Sequence, residues 1–161
     1  MLSGEFTKGF QHELANRAFA LRSTEGIAKR LHGDPRHAFW ASYVKLERFN
    51  APRYQQAATQ WGLDAQPTLW TKARGAASGA APKLLLTPFL KFAHPKTVEY
   101  LEDLRRLRAI GPPDGEAFLD YMVNQEALQV EMMQLALEKR YPEVARRVDE
   151  FLLKYRDQQT F

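Results

Sequence analysis

Two glutamates, each followed three residues later by a side-chain amide, are the most informative chemical feature of this sequence. They are Glu47-x-x-Asn50 and Glu126-x-x-Gln129. Residues three apart in a helix lie on one face, so each glutamate is predicted to sit beside its amide. Both pairs fall on stripes of apolar residues, where a core-facing helix normally carries no charge. Carboxylates kept away from water there could act as bases with a raised pKa, or hold a ligand or a metal ion.

An earlier segment adds a third carboxylate and a cation. Glu13 lies at the edge of an apolar stripe, and Arg17 lies within that stripe one turn later. A guanidinium can neutralise carboxylates and bind them through two nitrogens. Arg17 is therefore either an internal cation or a surface side chain with its head in water. Tyr43 and Tyr54, on the stripe of Glu47, complete the set of candidate ligand-binding residues.

A simpler interpretation of the glutamates stays open. A lone glutamate on an apolar stripe is often a boundary residue, because the phase of a stripe drifts over a long helix. If Glu47 and Glu126 are internal, they must be paired, since an uncompensated buried charge is strongly destabilising. The aromatic residues around them are interpreted as core rather than as the wall of a pocket.

The elements that would position these residues are all predicted to be helices. The 3.6-residue period predicts helices over residues 3–31, 35–61, 95–109, 115–140 and 142–155. Residues 62–94 are predicted to cross over between the second and third long helices. Within them, the small residues 75–82 either pack closely on another backbone or form a mobile connector. The chain is predicted to be a single helical domain over residues 1–161, with a loose tail at 156–161.

On the residues Glu47-x-x-Asn50, Glu126-x-x-Gln129 and Glu13, the chain resembles the ferritin-like superfamily of carboxylate bundles. This resemblance implies an all-α, ferritin-like four-helix bundle with a long crossover between helices two and three, here with an extra C-terminal helix. The family's metal site takes a glutamate from helices one and three and Glu-x-x-His from helices two and four. Here amides replace both histidines, and the third helix has no inward glutamate. We therefore expect a salt-bridged polar centre without a metal cofactor; iron or manganese is the alternative.

Composition excludes several function classes. The 161 residues, 45% hydrophobic and 26% charged, are typical of a globular domain, and the absence of cysteine excludes thiol catalysis, thiolate metal sites and disulfides. The net charge of +4 is spread over dispersed basic residues, which disfavours nucleic-acid binding. No signal-peptide pattern is present, and the most apolar run, 84–93, is too short to cross a bilayer. We expect a cytoplasmic protein without a membrane partner.

No motif in the chain names an activity: it has no glycine-rich phosphate loop, no Gly-x-Ser-x-Gly and no His-Glu-x-x-His. The leading hypothesis is a non-catalytic bundle that acts as a protein-interaction, adaptor or inhibitor module, with a protein partner or by self-association. The apolar stripe of the C-terminal helix favours it. One alternative is a ligand-binding bundle or unusual enzyme that uses the centre formed by the glutamates, Arg17 and Asn50. The other is a di-metal carboxylate oxidoreductase.

Overall fold

The described part of the chain folds into six α-helices. The computed structural model describes residues 2–64, 69–158 and 160, and only the backbone of 69–72. The helices are α1 (Gly4–Arg30), α2 (His37–Gln60), α3 (Leu69–Gly79), α4 (Leu86–Ala109), α5 (Glu116–Leu137) and α6 (Tyr141–Tyr155), with short 3-10 turns at Lys83–Leu85 and Pro113–Gly115. No strand occurs among the described residues. The prediction of an all-α chain is confirmed.

α1 and α2 form an antiparallel hairpin. Ser3 caps α1, because its hydroxyl accepts a hydrogen bond from the amide of Phe6 at 3.1 Å. Gly33, with φ +80°, supplies the left-handed residue that ends the first helix and turns the chain. The start of α1 consequently lies beside the end of α2, where Tyr54 hydrogen-bonds Glu13.

α4 differs from the predicted third long helix. We expected a helix from Pro95 at the end of the crossover, but α4 begins at Leu86 and continues through Pro95. Pro95 is solvent-exposed, so water can hydrate the carbonyl that its missing N–H leaves without a partner. α2 likewise continues through Pro52, which is also exposed.

The small residues after α2 pack closely instead of forming a mobile connector. Residues 75–79 of this run belong to α3, which lies against α1. A Cβ atom built on Gly26 would stand only 2.9 Å from the Cα of Gly79, so the two backbones meet at this point. Arg30 fixes the end of α3 by donating hydrogen bonds to the carbonyls of Gly79 and Ala81. In the sequence, Gln66-Pro67-Thr68 also predicts the start of a short helix, and these three residues lie outside the described part of the chain.

The apolar core has two parts. One cluster includes Leu31, Phe39 and Met132, and the other includes Phe10, Leu104 and Phe118. α6 packs against α2 and α5, with Val144, Val148 and Tyr155 buried. The apolar stripe of α6 is therefore used inside the bundle, and it does not supply the free surface that the sequence suggested. Among the described helices, none is long and apolar enough to cross a membrane.

Candidate functional site

A single buried guanidinium connects three carboxylates from three helices. From α1, Arg17 approaches Glu13 with Nε at 3.1 Å, Glu47 with Nη1 at 2.7 Å and Glu126 with Nη2 at 3.2 Å. The three glutamate side chains are at most 2% exposed, and that of Arg17 is 10% exposed. Arg17 is therefore an internal cation. The boundary interpretation of the glutamates is wrong, because Glu47 of α2 and Glu126 of α5 are both buried and contact the same guanidinium.

Two tyrosines complete the surroundings of Glu13. The Tyr54 hydroxyl donates to Oε1 at 2.7 Å, and the Tyr100 hydroxyl donates to Oε2 at 2.6 Å. Tyr100 belongs to α4, so the third long helix of the bundle contributes a phenol where the resemblance implied a glutamate. Both oxygens of Glu13 thus accept hydrogen bonds, as a buried carboxylate requires.

A second group of hydrogen bonds in the cluster centres on Gln129 in α5. Its amide nitrogen donates to Glu47 Oε1 at 3.0 Å and to the Gln125 carbonyl at 2.7 Å. Its own carbonyl accepts a hydrogen bond from the Tyr43 hydroxyl. Gln129 therefore links α2 to α5 and fixes the orientation of the Glu47 carboxylate.

Gln125, one turn earlier, links the remaining groups. Its carbonyl accepts from the amide of Asn50 at 3.0 Å, while its nitrogen donates to the Tyr54 hydroxyl at 3.2 Å and to Glu126 at 3.3 Å. The Asn50 carbonyl in turn accepts from the Tyr121 hydroxyl. Asn50, Gln125 and Gln129 are all fully buried. The network joins four helices through side chains alone.

The electrostatics of this cluster are unbalanced, because three carboxyl groups face one guanidinium. Burial raises the pKa of Glu47 and of Glu126 to about 7, since the attraction of Arg17 only partly offsets their loss of hydration. Burial alone would lower the pKa of Arg17, but the charges of Glu13, Glu47 and Glu126 raise it well above its usual value. Burial also raises the pKa of Tyr43 and Tyr54, so both phenols stay protonated donors.

All eight candidate residues from the sequence occupy this one cluster. They are Glu13, Arg17, Tyr43, Glu47, Asn50, Tyr54, Glu126 and Gln129. Their assignment to ligand binding stays a prediction. Sequence reasoning missed Gln125, Tyr100 and Tyr121 as members. The spacing of Gln125, four residues before Gln129 on the same helix, was the available signal.

The donor set does not fit the two-metal site of the ferritin-like resemblance. Arg17 fills the position between the carboxylates where cations would bind, and its charge would repel them. Asn50 and Gln129 stand where the family has imidazoles, and amide groups are poor ligands for iron. Within the described ranges, no group of three or more histidine, aspartate or glutamate side chains has an arrangement suited to a metal ion.

Two depressions in the described surface lie away from the cluster. A small one is lined by residues such as Trp40, Leu86 and Tyr141. A larger groove, of about 580 Å³, lies along α1, α2 and α3 and is lined by residues such as Arg22, Lys29 and Arg48. Neither is lined by a member of the buried cluster.

Comparison with protein-family models, curated proteins and solved structures finds no match for this chain.

Proposed function

We propose that this chain is a non-catalytic helical bundle that binds an acidic, amphipathic helix of a protein partner through the first turns of α4. The observation that carries this proposal is an exposed apolar surface there. Leu84 is 88% exposed and Phe92 is 65% exposed, and Leu85 and Phe89 are at least half exposed. We call these four residues the α4 patch. Apolar side chains clustered on a surface are typical of an interaction site.

The arrangement of the α4 patch suits a helical partner. Leu85, which ends the 3-10 turn before α4, and Phe89 and Phe92 of α4 follow the spacing i, i+4, i+7, which places them along one stripe. This register is the one by which an amphipathic helix packs against another helix or in a groove. Aromatic residues also contribute strongly to the centres of protein interfaces.

Charge around the α4 patch specifies the kind of partner. Lys83, Lys91 and Lys96 surround it and are exposed, and Lys96 lies over the Phe92 ring at 5.0 Å. The sequence contains no aspartate or glutamate from residue 65 to residue 98. A cationic rim around an apolar stripe complements a helix with one apolar and one acidic face.

The buried cluster supports the proposal in a different way. Its hydrogen bonds join α1, α2, α4 and α5 into one network, with α4 connected through the bond from Tyr100 to Glu13, so we expect a rigid frame for the start of α4. A pre-organised surface loses less conformational entropy when a partner binds. In this proposal the cluster has a structural role and takes no part in catalysis.

We further propose that the bundle has a ferritin-like layout with a crossover. Support comes from the directions of the helices. Tyr54, near the end of α2, contacts Glu13 in the first half of α1. Leu107, near the end of α4, contacts Gly9 close to the start of α1. α2 and α4 thus run in the same direction, which requires the intervening segment to return along the bundle.

Site-specific photo-crosslinking tests the proposed surface. A benzophenone amino acid is placed at position 89 of the full chain, and at position 153 as the control. Leu153 lies on α6 and is 64% exposed, compared with 50% for Phe89, but it is outside the α4 patch. Crosslinking in the expressing cells is expected to give a discrete protein adduct from position 89 and none from position 153.

The adduct must then meet the chemical prediction. The partner, once identified and purified, is expected to contain an acidic amphipathic helix and to bind less tightly as salt concentration rises. Phe89→Ser should weaken that complex at least tenfold, and Leu153→Ser should leave it unchanged. Identical adducts from both positions would contradict the proposal. So would an adduct with lipid, or with a second copy of the chain, as the only specific product of position 89.

A further inference from the structure

The groove along α1, α2 and α3 has a cationic wall whose charge is only partly neutralised by neighbouring carboxylates. Arg22 and Lys29 from α1 and Arg48 from α2 line it. The one carboxylate in the lining, Glu25, accepts from Arg48 at 2.9 and 3.1 Å. None of the ion pairs in the described part of the chain includes Arg22 or Lys29. The groove therefore keeps a net charge of about +2 that no neighbouring side chain neutralises.

Two imidazoles add hydrogen-bond donors at the same place. His32, in the connection after α1, and His37, at the start of α2, both line the groove. Their rings stack with centroids 4.8 Å apart. Each ring can present an N–H to an anion. Cationic and imidazole side chains from two helices and their connection thus line one groove, and groups of these types bind phosphate through charge-assisted hydrogen bonds.

The floor of the groove is shaped by small residues. Gly26, Ala41 and Ala76 line it, with Val44 as a buried apolar contact. Ala76 reaches the groove because the contact of Gly26 with Gly79 brings α3 against α1. The resulting volume, about 580 Å³, lies within the range of small-molecule sites. A macromolecule is not needed to fill it.

We propose that this groove binds a small molecule bearing a diphosphate or similarly charged phosphate group, with the phosphates held by Arg22, Lys29 and the two histidines. The apolar floor around Val44 receives the uncharged part of the molecule. Arg48 is kept in place by Glu25 and closes one side. This site is separate from the α4 patch and from the buried cluster, and it does not depend on the proposed function.

Titration of the full chain with inorganic pyrophosphate by calorimetry tests the site, at constant ionic strength maintained with sodium chloride. We expect one saturable site per chain and weaker binding of inorganic phosphate. Lys29→Ala is expected to lower the affinity for pyrophosphate about tenfold, since one charge-assisted contact is lost. The matched control is Lys8→Ala, which removes an exposed lysine from the same helix, far from the groove, and is expected to have no effect.

A second variant separates the groove from general surface charge. Ala76→Phe places a large side chain in the groove without altering any charge. Because Ala76 is exposed on α3, the substitution should not disturb the core. It is expected to abolish saturable pyrophosphate binding while the helical circular dichroism and the unfolding temperature stay near those of the wild type. Equal loss of affinity in the Lys29 and Lys8 variants would overturn the proposal. Unchanged binding in a folded Ala76→Phe protein, or no saturation by pyrophosphate, would also overturn it.

Discussion

Two arginine–glutamate clusters of this molecule use the same groups in opposite surroundings. In the buried cluster, Arg17 faces three glutamates that have almost no contact with water. On the surface, Arg147 of α6 holds Glu131 at 2.6 and 3.0 Å and Glu150 at 2.6 Å, and all three side chains are about 40% exposed. Distances alone would not distinguish the two.

The protonation chemistry does distinguish them. Hydrogen bonds from Arg147 and Arg146 lower the pKa of Glu150 below its usual value. Burial raises the pKa of Glu47 to about 7, although Arg17 is equally close to it. Ion pairing therefore decides the direction of the shift at the surface, and loss of hydration decides it in the interior. Short distances between charged groups do not show that the charges are stabilised.

Removal of the central cation is expected to have the largest effect on stability. Arg17→Ala should lower the free energy of unfolding by about 3–5 kcal/mol, because three carboxyl groups would stay buried without a counter-charge. Urea denaturation at pH 7 measures it. Glu47→Ala should also be costly, since Arg17 and Gln129 each lose an acceptor. A loss below about 0.5 kcal/mol for both variants would mean that the cluster does not hold the core together.

Much of the helical layout could be predicted from the sequence, because apolar stripes report which face of a helix is buried. The helix start at Pro95 was wrong for a physical reason. Proline breaks a buried helix, but on the exposed side of α4 the solvent satisfies the carbonyl. When the apolar stripe of a helix is weak, the sequence alone does not show whether a proline lies on the buried or the exposed side.

The candidate site could also be predicted in part, because a charged residue on an apolar stripe is expected to lie on the buried face of its helix. Glu47, Glu126 and Arg17 stood out as charged residues on single apolar stripes. Gln125 and Tyr121 did not, because α5 contacts α2, α4 and α6 and buries more than one stripe. Whether Tyr100 joins the buried cluster depends on the orientation of α4 about its own axis, which tertiary packing decides.

The pH dependence of stability should have opposite signs for the buried Glu47 and the exposed Glu150. Because the pKa of Glu47 is higher in the folded than in the unfolded chain, its contribution is fully present below about pH 4.5 and is lost as pH rises towards 7. Glu47→Gln removes this loss and keeps an amide that can hydrogen-bond. Relative to the wild type, the variant should gain on the order of 2 kcal/mol between pH 5 and pH 7.

Glu150→Gln is the matched control for the pH experiment. The pKa of Glu150 is lowered in the folded chain, so its contribution is present above the unfolded pKa and is lost as the solution becomes more acidic. Its variant should lose stability relative to the wild type as pH rises from 3 to 5 and should run parallel to it from pH 5 to pH 7. Parallel curves for Glu47→Gln and the wild type over pH 5 to 7 would contradict the assignment of a raised pKa to Glu47.

The smallest expected effect belongs to the surface cluster. Arg147→Ala should lower the free energy of unfolding by about 1 kcal/mol or less, because both glutamates regain full hydration and salt already screens their attraction to the arginine. Raising sodium chloride from 0.05 to 0.5 M should reduce that difference further, whereas the cost of Arg17→Ala should change little, since ions do not enter the buried cluster. Urea denaturation of both variants at the two salt concentrations measures the contrast. Equal salt sensitivity of the two variants would mean that solvent reaches the carboxylates around Arg17, and the distinction between the two clusters would fail.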